Sequence, residues 1–280
     1  MREWHRILER VRKHGERRQD RTGAGTLALF GEQLVFDNSG AAFPAVTSKR
    51  LAFGQVAAEL ACFLQGYDNL KDFHEMGCRI WDGNGTSEYW LPHARSEGDL
   101  GRIYGVQWRD WHSYKNGALV QVDQLKALVQ RMLEQPHGRR HIVTALNPGE
   151  LDQICLPPCH VLFQAFLSGS ESQTRVDIRV DMRSVDLFLG LPFDVASYAL
   201  LQRLLANDLN VASGFLIFQL GDTHIYMNHM EQVSQVLNNP IFTPPTLRLA
   251  PNVGLFNFMP SDASLMDYSH AGVVNAPLNV

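Results

Sequence analysis

The sequence predicts a mixed α/β protein built as a single domain over residues 1–280. Segments with strand periodicity alternate with segments of helical periodicity, and no linker-like or low-complexity tract divides them. With 280 residues, of which 45% are hydrophobic, the chain is long enough to bury a large core.

Helices are predicted where apolar residues recur every three to four positions. The first runs from about Glu3 to Gly15, because Trp4, Ile7, Leu8 and Val11 fall on one face. The other predicted helices are Phe53 to Leu64, Val122 to Glu134, Val195 to Leu205 and His224 to Leu237.

Strands are predicted for short runs rich in β-branched and aromatic residues. The first, Leu27 to Phe36, follows a charged, glycine-containing loop at Arg17 to Thr26. The other predicted strands are Ile142 to Ala145, Val161 to Phe166, Thr174 to Met182 and Gly214 to Gln219, whereas the chain from about Asn252 shows little periodicity.

The composition argues against some classes of protein. A net charge of −4 and a pI near 6.2 do not indicate a dedicated nucleic-acid binder. The four cysteines lack the spacing of a disulfide framework, and neither a signal peptide nor a long apolar span is evident. We therefore expect a cytoplasmic protein, in the host cytoplasm if a phage encodes it.

Cys159 is the leading candidate for a nucleophile. Pro157 and Pro158 restrict the backbone before it, His160 follows it, and an apolar strand comes next, so a rigid loop presents the thiol at the edge of the core. The alternatives are an inert buried cysteine and a Cys/His hydrolase, although the local cysteine signature of papain-like enzymes is missing. No second Cys/His pair stands at zinc spacing, so no metal site is expected.

Four arginines suggest a phosphate site. Arg21, Arg139, Arg140 and Arg183 stand in loops or at strand ends, two of them beside Thr22 and Ser184, and a guanidinium binds phosphate oxygens bidentately. Each arginine by itself is also compatible with an ordinary surface position.

Glu59 is a candidate acid or base. It interrupts the apolar run from Val56 to Leu64, where a carboxylate is costly unless it is paired or protonated. An exposed glutamate on a polar stripe is the alternative. Asp82, Asp186 and Asp222 are further candidates, and each could instead be a cap or turn residue.

Taken in order, these segments resemble the thymidylate synthase family over nearly the whole chain. The matching runs are Asp20-Arg21-Thr22-Gly23, Phe43-Pro44, Thr47-Ser48-Lys49-Arg50, Phe63-Leu64-Gln65-Gly66, Ile80-Trp81-Asp82, Gly101-Arg102-Ile103-Tyr104-Gly105, Arg139-Arg140, Pro158-Cys159-His160, Arg183-Ser184, Gly190-Leu191-Pro192-Phe193, Gly221-Asp222-Thr223-His224-Ile225-Tyr226 and Ala276-Pro277. The resemblance implies a homodimer whose large mixed β-sheet is packed with helices on one face and forms the subunit interface with the other. It also implies a deoxynucleoside monophosphate substrate, with 5,10-methylenetetrahydrofolate as cosubstrate and no metal.

The resemblance also implies roles for individual residues. Cys159 would add to C6 of the pyrimidine beside His160, Glu59 would organise water and proton transfer, and Tyr104 would assist removal of the C5 proton. The nucleotide-binding set would be Arg21, Gln164, Arg183, Ser184, His224 and Tyr226, with Arg139 and Arg140 donated by the partner subunit. The folate-binding set would be Ile80, Trp81, Asp186, Leu189, Gly190 and Phe193, with Lys49 at the glutamate tail and Ala276 in the closing C-terminus.

One departure from the family pattern concerns the base. Thymidylate synthases have asparagine after Leu-Pro-Phe, where this chain has Asp194. An amide satisfies the N3–H donor and O4 acceptor of uracil, whereas a carboxylate accepts from the amino group of cytosine. Deoxycytidylate hydroxymethylases, the phage-type relatives, carry the same substitution. Asp194 therefore favours dCMP over dUMP.

Other departures affect the pocket rather than the fold. They are Asn84, Met182, Val185 and Leu220. Because Trp81, Phe193 and the Ala276-Pro277 tail are retained, we expect methyl transfer that yields 5-methyl-dCMP and dihydrofolate. The alternatives are dCMP hydroxymethylation, an ordinary thymidylate synthase acting on dUMP, and a non-catalytic nucleotide- or RNA-binding relative.

Overall fold

A computed structural model describes residues 1–279, and strands and helices alternate along them as predicted. The helices are α1 (Arg2–His14), α2 (Phe53–Gln65), α3 (Leu70–Glu75), α4 (Asp82–Gly85), α5 (Tyr104–Arg109), α6 (Gln124–Glu134), α7 (Gly190–Leu209) and α8 (Met230–Asn238). The strands are β1 (Glu16–Arg18), β2 (Thr26–Asp37), β3 (Trp111–Lys115), β4 (Ala118–Val122), β5 (Ile142–Thr144), β6 (His160–Ser168), β7 (Arg175–Asp186), β8 (Ala212–Tyr226), β9 (Thr246–Leu249) and β10 (Ala263–Met266). Short 3-10 turns occur at Pro148–Gln153, Glu171–Gln173, Met227–His229 and Pro260–Asp262.

The main sheet has the strand order β1-β2-β8-β7-β6-β5. Its pairs are antiparallel except β7 and β8, which run parallel and are joined through α7. The hairpins β3–β4 and β9–β10 lie outside this sheet. The predicted mixed sheet is therefore confirmed.

Helices cover one face of the sheet. The helix α7 packs on β7 and β8 and against α2, and it is buried along most of its length. The opposite face, which we call the outward sheet face, carries exposed apolar side chains: Phe30, Val35, Ile142, Phe166 and Phe215.

The burial pattern of β8 changes near one end of the sheet. The alternating residues Leu216, Phe218 and Leu220 are buried before Gly221, whereas the consecutive residues Thr223, His224 and Ile225 are buried after it. A Cβ on Gly221 would lie 2.8 Å from the Arg183 carbonyl oxygen of the neighbouring strand, so only glycine allows this approach. Several of the predicted nucleotide-binding residues lie in the parts of β7 and β8 that follow this contact.

Several predicted helices begin a few residues from their expected positions. The prediction of a helix from Val195 began too late, because α7 starts at Gly190 and accommodates Pro192 in its first turn, where a missing N–H costs little. The helix predicted from Val122 begins at Gln124, since Val122 ends a hairpin and Asp123 caps the helix by accepting from Lys126 N–H.

The predicted helix from His224 to Leu237 was wrong in its first part. The strand β8 continues to Tyr226, which pairs with Thr26 of β2, and α8 begins only at Met230. The ladder to β2 satisfies the backbone groups of these residues, so pairing overrides the helical periodicity. The charged loop at Arg17 to Thr26 likewise contains part of a short edge strand, β1.

No helix among residues 1–279 is both long and apolar enough to cross a membrane. The cysteines are all free thiols, and Cys62, Cys78 and Cys155 are buried.

Candidate active site

Cys159 stands directly before β6, with its side chain partly exposed. Its backbone N–H donates to the hydroxyl of Tyr104 (2.7 Å), and its carbonyl accepts from the backbone N–H of Arg183 (2.8 Å). Burial raises the pKa of the Cys159 thiol, and the Arg183 guanidinium acts against this rise. The thiol is thus held between α5 and β7.

Arg183 braces the loop that carries the thiol. Its Nε donates to the Pro158 carbonyl and its second terminal nitrogen to the Pro157 carbonyl, both at 2.8 Å. The outer edge of the exposed guanidinium remains available to an anion. A single side chain can therefore couple anion binding to the position of Cys159.

Glu59 lies half-buried on α2, and Oε1 accepts the indole N–H of Trp81 at 2.8 Å. Burial raises the pKa of Glu59 to about 7, although the bond from Trp81 partly offsets the rise. A carboxyl with this pKa can gain or lose a proton at neutral pH, as an acid or base requires.

Tyr104 opens α5, and Gly105 allows it to approach α2. A Cβ on Gly105 would lie 2.5 Å from Cα of Phe63, so the two helices touch at the backbone. The Tyr104 ring stacks on the imidazole of His160, with ring centroids 3.9 Å apart. This packing fixes the hydroxyl that holds Cys159.

His160 is enclosed between α5 and α7. Its Nδ1 lies 2.8 Å from the Tyr198 hydroxyl, and its Nε2 lies 3.8 Å from Oδ1 of Asp194. Burial lowers the pKa of His160 to about 3, so the ring is neutral at physiological pH.

Asp194 lies in the first turns of α7 with 21% of its side chain exposed, close enough to Cys159 and Glu59 for their charges to interact. We call the region among these three residues the cleft. Burial raises the pKa of Asp194 well above the ordinary value, and the charges of Glu59 and Asp186 add to the rise. Asp186 has its own partners, the backbone N–H groups of Phe188 and Leu189. The position therefore favours a protonated Asp194.

The end of the sheet beyond Gly221 gathers anion- and sugar-binding candidates. The register sets Ser184 beside Asp222, and Asp186 beside His224, whose Nδ1 lies 3.0 Å from the Asp222 carboxylate. Burial raises the pKa of Tyr226 to about 12, and the nearby Arg21 opposes the rise. Arg21 is presented by a turn in which the Asp20 carboxylate accepts backbone N–H groups from Thr22 and Gly25.

Arg139 and Arg140 do not reach this cluster within one chain. They are exposed, and His141, the next residue, accepts from the N–H of Ala165. Ala165 stands six residues along β6 from Cys159, which at about 3.3 Å per residue is roughly 20 Å. Gln164 lies on the outward sheet face, opposite Arg179 of β7.

The apolar residues of the predicted folate site, which we call the wall, lie in the core or at its edge. Trp81 is buried, whereas Ile80, Leu189, Gly190 and Phe193 are half-buried, and Ala276 packs against the same core. The C-terminal segment is fastened there, because the Pro277 carbonyl lies 2.7 Å from Nε2 of His229.

Lys49 is turned into the protein. It is only 5% exposed, it donates to the Phe188 carbonyl at 2.6 Å, and its ammonium lies 4.1 Å from the centre of the Phe188 ring. Burial lowers the pKa of Lys49 to about 8. In this structure its ammonium binds the turn before α7 and is not presented to a ligand.

A sequence model of the thymidylate synthase family matches residues 2–280. The chain belongs to the thymidylate synthase family. It is similar to the thymidylate synthase of Staphylococcus haemolyticus (strain JCSC1435), with 33% identity in an alignment that covers 99% of this chain and 98% of that one. The chemistry of the thymidylate synthase family, one-carbon transfer from methylenetetrahydrofolate to C5 of a pyrimidine nucleotide, is therefore the chemistry of this chain.

The residues present fit the folate cosubstrate of thymidylate synthases. A flat heteroaromatic ring suits the half-buried wall of Ile80, Leu189 and Phe193, with the Asp186 carboxylate at its border. In residues 1–279, no group of three or more His, Cys, Asp or Glu side chains could hold a metal ion.

Two residues that shape the site were missed from the sequence. Tyr198 stands four residues after Asp194, and this spacing on a helix would have placed both on one face. No local signal marked His229, because its partner Pro277 is distant in the sequence.

Proposed function

We propose that the protein methylates dCMP at C5, yielding 5-methyl-dCMP and dihydrofolate from 5,10-methylenetetrahydrofolate. The observation that carries this proposal is Asp194, a carboxyl group in the cleft where thymidylate synthases have an amide, in surroundings that raise its pKa.

A protonated Asp194 matches the edge of cytosine. Its hydroxyl can donate to N3 while its carbonyl oxygen accepts from the N4 amino group, so both polar groups of the base are satisfied. An ionised Asp194 accepts from the N4 amino group of cytosine or from N3–H of uracil, and in each case its second oxygen faces a lone pair, at N3 or at O4. Hydrogen bonding in the ground state therefore separates the two bases only weakly.

The larger preference would arise during the reaction. When the Cys159 thiolate adds to C6, electron density moves toward N3 and C4, and in the cytosine adduct N3 becomes a base that can take the Asp194 proton. The resulting carboxylate accepts from both N3–H and the N4 amino group. In a uracil adduct the same proton would have to rest on O4 as an acidic enol, so the transition state gains less.

Neighbouring groups support this sequence of proton movements. Glu59, with a pKa of about 7, would exchange protons with water beside the base, and Tyr104, bonded to Cys159, would assist removal of the C5 proton. Arg183, Ser184 and Arg21 would hold the phosphate, while His224 and Tyr226 would meet the sugar hydroxyl.

The wall of the cleft favours methyl over hydroxymethyl as the product. Folate supplies the methylene carbon and then a hydride, and hydride transfer requires that water be kept from the methylene formed at C5. Trp81, Phe193 and the tail fastened through Pro277 would exclude this water, since Trp81 is buried and Phe193 packs against the core.

We also propose that the outward sheet face forms a homodimer interface. Phe30 is 82% exposed and Phe166 is 56% exposed on this face, an unusual cost for a monomer. Closure of this face by a second subunit would let that subunit's Arg139 and Arg140 reach a phosphate that the chain's own pair cannot reach.

The test measures tritium release from [5-³H]dCMP and from [5-³H]dUMP. We expect faster release from dCMP in the wild type and a reversed preference in Asp194→Asn, whereas Asp152→Asn, which removes an exposed carboxylate, should change neither rate. Faster release from dUMP by the wild type would contradict the proposal. The absorbance of dihydrofolate should rise with turnover, and turnover without that rise would identify a hydroxymethylase.

A further inference from the structure

One helix holds the imidazole of His160 from both sides. Asp194 and Tyr198 are four residues apart on α7 and therefore project from the same face, one turn from each other. Tyr198 lies at Nδ1 of His160 (2.8 Å), and Asp194 lies on the side of Nε2 (3.8 Å).

The surroundings of Tyr198 decide the direction of its hydrogen bond. The residue is 2% exposed, its aromatic neighbours are Trp108, Phe163 and Phe218, and Nδ1 of His160 is the one hydrogen-bond partner of its hydroxyl among residues 1–279. If Nδ1 carried the hydrogen, the buried phenol hydrogen would have no acceptor. The phenol therefore donates, Nδ1 accepts, and the single hydrogen of the neutral imidazole is on Nε2.

We infer that Tyr198 is a positioning residue that keeps His160 in the Nε2–H tautomer, so that the imidazole can stabilise the Asp194 carboxylate that forms during the reaction. The inference rests on the proposed function, in which the Asp194 proton passes to N3 of the base.

The observed separation agrees with this role. At 3.8 Å, Nε2 and Oδ1 are too far apart for a direct hydrogen bond, as expected while Asp194 is protonated and uncharged. Once the proton has moved to N3, the negative oxygen attracts Nε2–H, and a small rotation of the carboxyl group closes the gap. The bond then exists in the adduct and not in the ground state, so it lowers the barrier without tightening substrate binding.

The packing around His160 fixes the direction of its Nε2–H group. The Tyr104 ring, 3.9 Å away and nearly parallel, blocks rotation of the imidazole out of its plane. A flip of the ring by half a turn would bring carbon atoms to both Tyr198 and Asp194. Orientation and tautomer are therefore set by two tyrosines, Tyr104 through stacking and Tyr198 through its hydrogen bond.

The tautomer can be measured directly in the whole protein by long-range ¹H–¹⁵N correlation spectra of ¹⁵N-histidine-labelled samples. The His160 signals are assigned by their loss in His160→Gln. We expect a protonated Nε2 and an unprotonated Nδ1 in the wild type and in Tyr114→Phe, which removes an exposed phenol hydroxyl. In Tyr198→Phe the Nδ1 signal should move away from the hydrogen-bonded position. A hydrogen on Nδ1 in the wild type would overturn the inference, whatever the substrate is and whether or not Tyr198→Phe folds.

Kinetic measurements test the role of Tyr198 independently. Tyr198→Phe should lower kcat for dCMP by about 10- to 100-fold, the range expected for one hydrogen bond to a charged group, and should change KM by less than about 3-fold. In an Asp194→Asn background, which cannot form a carboxylate, the same substitution should cost less than about 3-fold with the pyrimidine that the variant accepts. Equal losses in both backgrounds would show a purely structural role. If tritium release identifies dUMP as the substrate while Nε2 proves protonated, the proposed function fails and the tautomer assignment stands.

Discussion

Trp81 donates its indole N–H to Oε1 of Glu59 at 2.8 Å and packs edge-on against Phe63, one turn further along α2, with ring centroids 6.0 Å apart. Indole and carboxyl thus form one unit at the border of the cleft. The burial that this packing produces raises the pKa of Glu59 to about 7. The carboxyl group of Glu59 therefore lowers the stability of the folded state at neutral pH.

Replacement of Glu59 by Gln should stabilise the protein above pH 7. The folded-state pKa of about 7 exceeds the unfolded value of 4.5, so the folded state binds more protons between these values and loses stability as pH rises through them. Glu59→Gln removes this loss, and its free energy of unfolding should exceed that of the wild type by up to about 3 kcal/mol at pH 8. Urea unfolding at several pH values tests this. The free energies of unfolding of the wild type and Glu59→Gln should converge below about pH 4.5. The surface variant Glu97→Gln should show the same pH dependence of stability as the wild type. A gap that does not depend on pH would refute the expectation.

Replacement of Trp81 by Phe should raise the pKa of Glu59 further. The substitution keeps an aromatic ring in the core but removes the N–H that favours the ionised carboxylate. The ¹³C carboxyl resonance of Glu59, assigned with Glu59→Gln, should titrate at higher pH in the variant. We also expect kcat to fall by about 10-fold, since the carboxyl loses its orientation. An unchanged titration midpoint would show that the indole does not tune this group.

Removal of the Arg183 charge should make Cys159 less reactive. The guanidinium opposes the rise in thiol pKa that burial causes, and it also ties the carbonyls of Pro157 and Pro158. In Arg183→Gln the alkylation of Cys159 by iodoacetamide should require a higher pH than in the wild type. Arg183→Lys keeps the charge but loses the two guanidinium hydrogen bonds, so the pH that it requires should be intermediate. The other cysteines are fully buried, so alkylation reports on Cys159. Identical pH profiles for all three proteins would contradict the role of the charge.

The proposed dimer predicts complementation between two inactive variants. Cys159→Ala lacks the nucleophile, and the double variant Arg139→Ala with Arg140→Ala lacks the arginines for its partner's site. After unfolding and refolding as an equimolar mixture, about a quarter of the sites should be intact, because half of the dimers are mixed and each mixed dimer has one complete site. Phe166→Asp on the outward sheet face should instead give particles of 31.5 kDa in light scattering and abolish complementation. No recovery from a mixture that does form dimers would mean that the arginines act within their own chain.

Much of the fold was predictable because periodicity is a local property. The helix α2 and the strands β2 and β6 lie within two residues of their predicted positions, since local patterns of apolar residues mark them. The extension of β8 to Tyr226 was not predictable in this way, because its backbone pairs with β2, nearly two hundred residues earlier in the chain.

The residues of the candidate site likewise fall into two groups, those that the local sequence marks and those whose role depends on contacts with distant parts of the chain. Cys159, Glu59 and Asp194 could be singled out from their neighbours in sequence and from the family pattern. The burial of Lys49 could not, because the carbonyl that it binds belongs to Phe188. Tyr198 was not predicted either, since its significance depends on His160, which contacts it from β6.

By itself, the sequence determined the family and singled out the candidate nucleophile Cys159 and the carboxyl group of Asp194. Only the tertiary structure decided the surroundings that shift the pKa values of the candidate groups. A pKa is set by loss of solvent and by nearby charge, and for Asp194 these come from α2, β7 and its own helix α7, which meet only when the chain is folded.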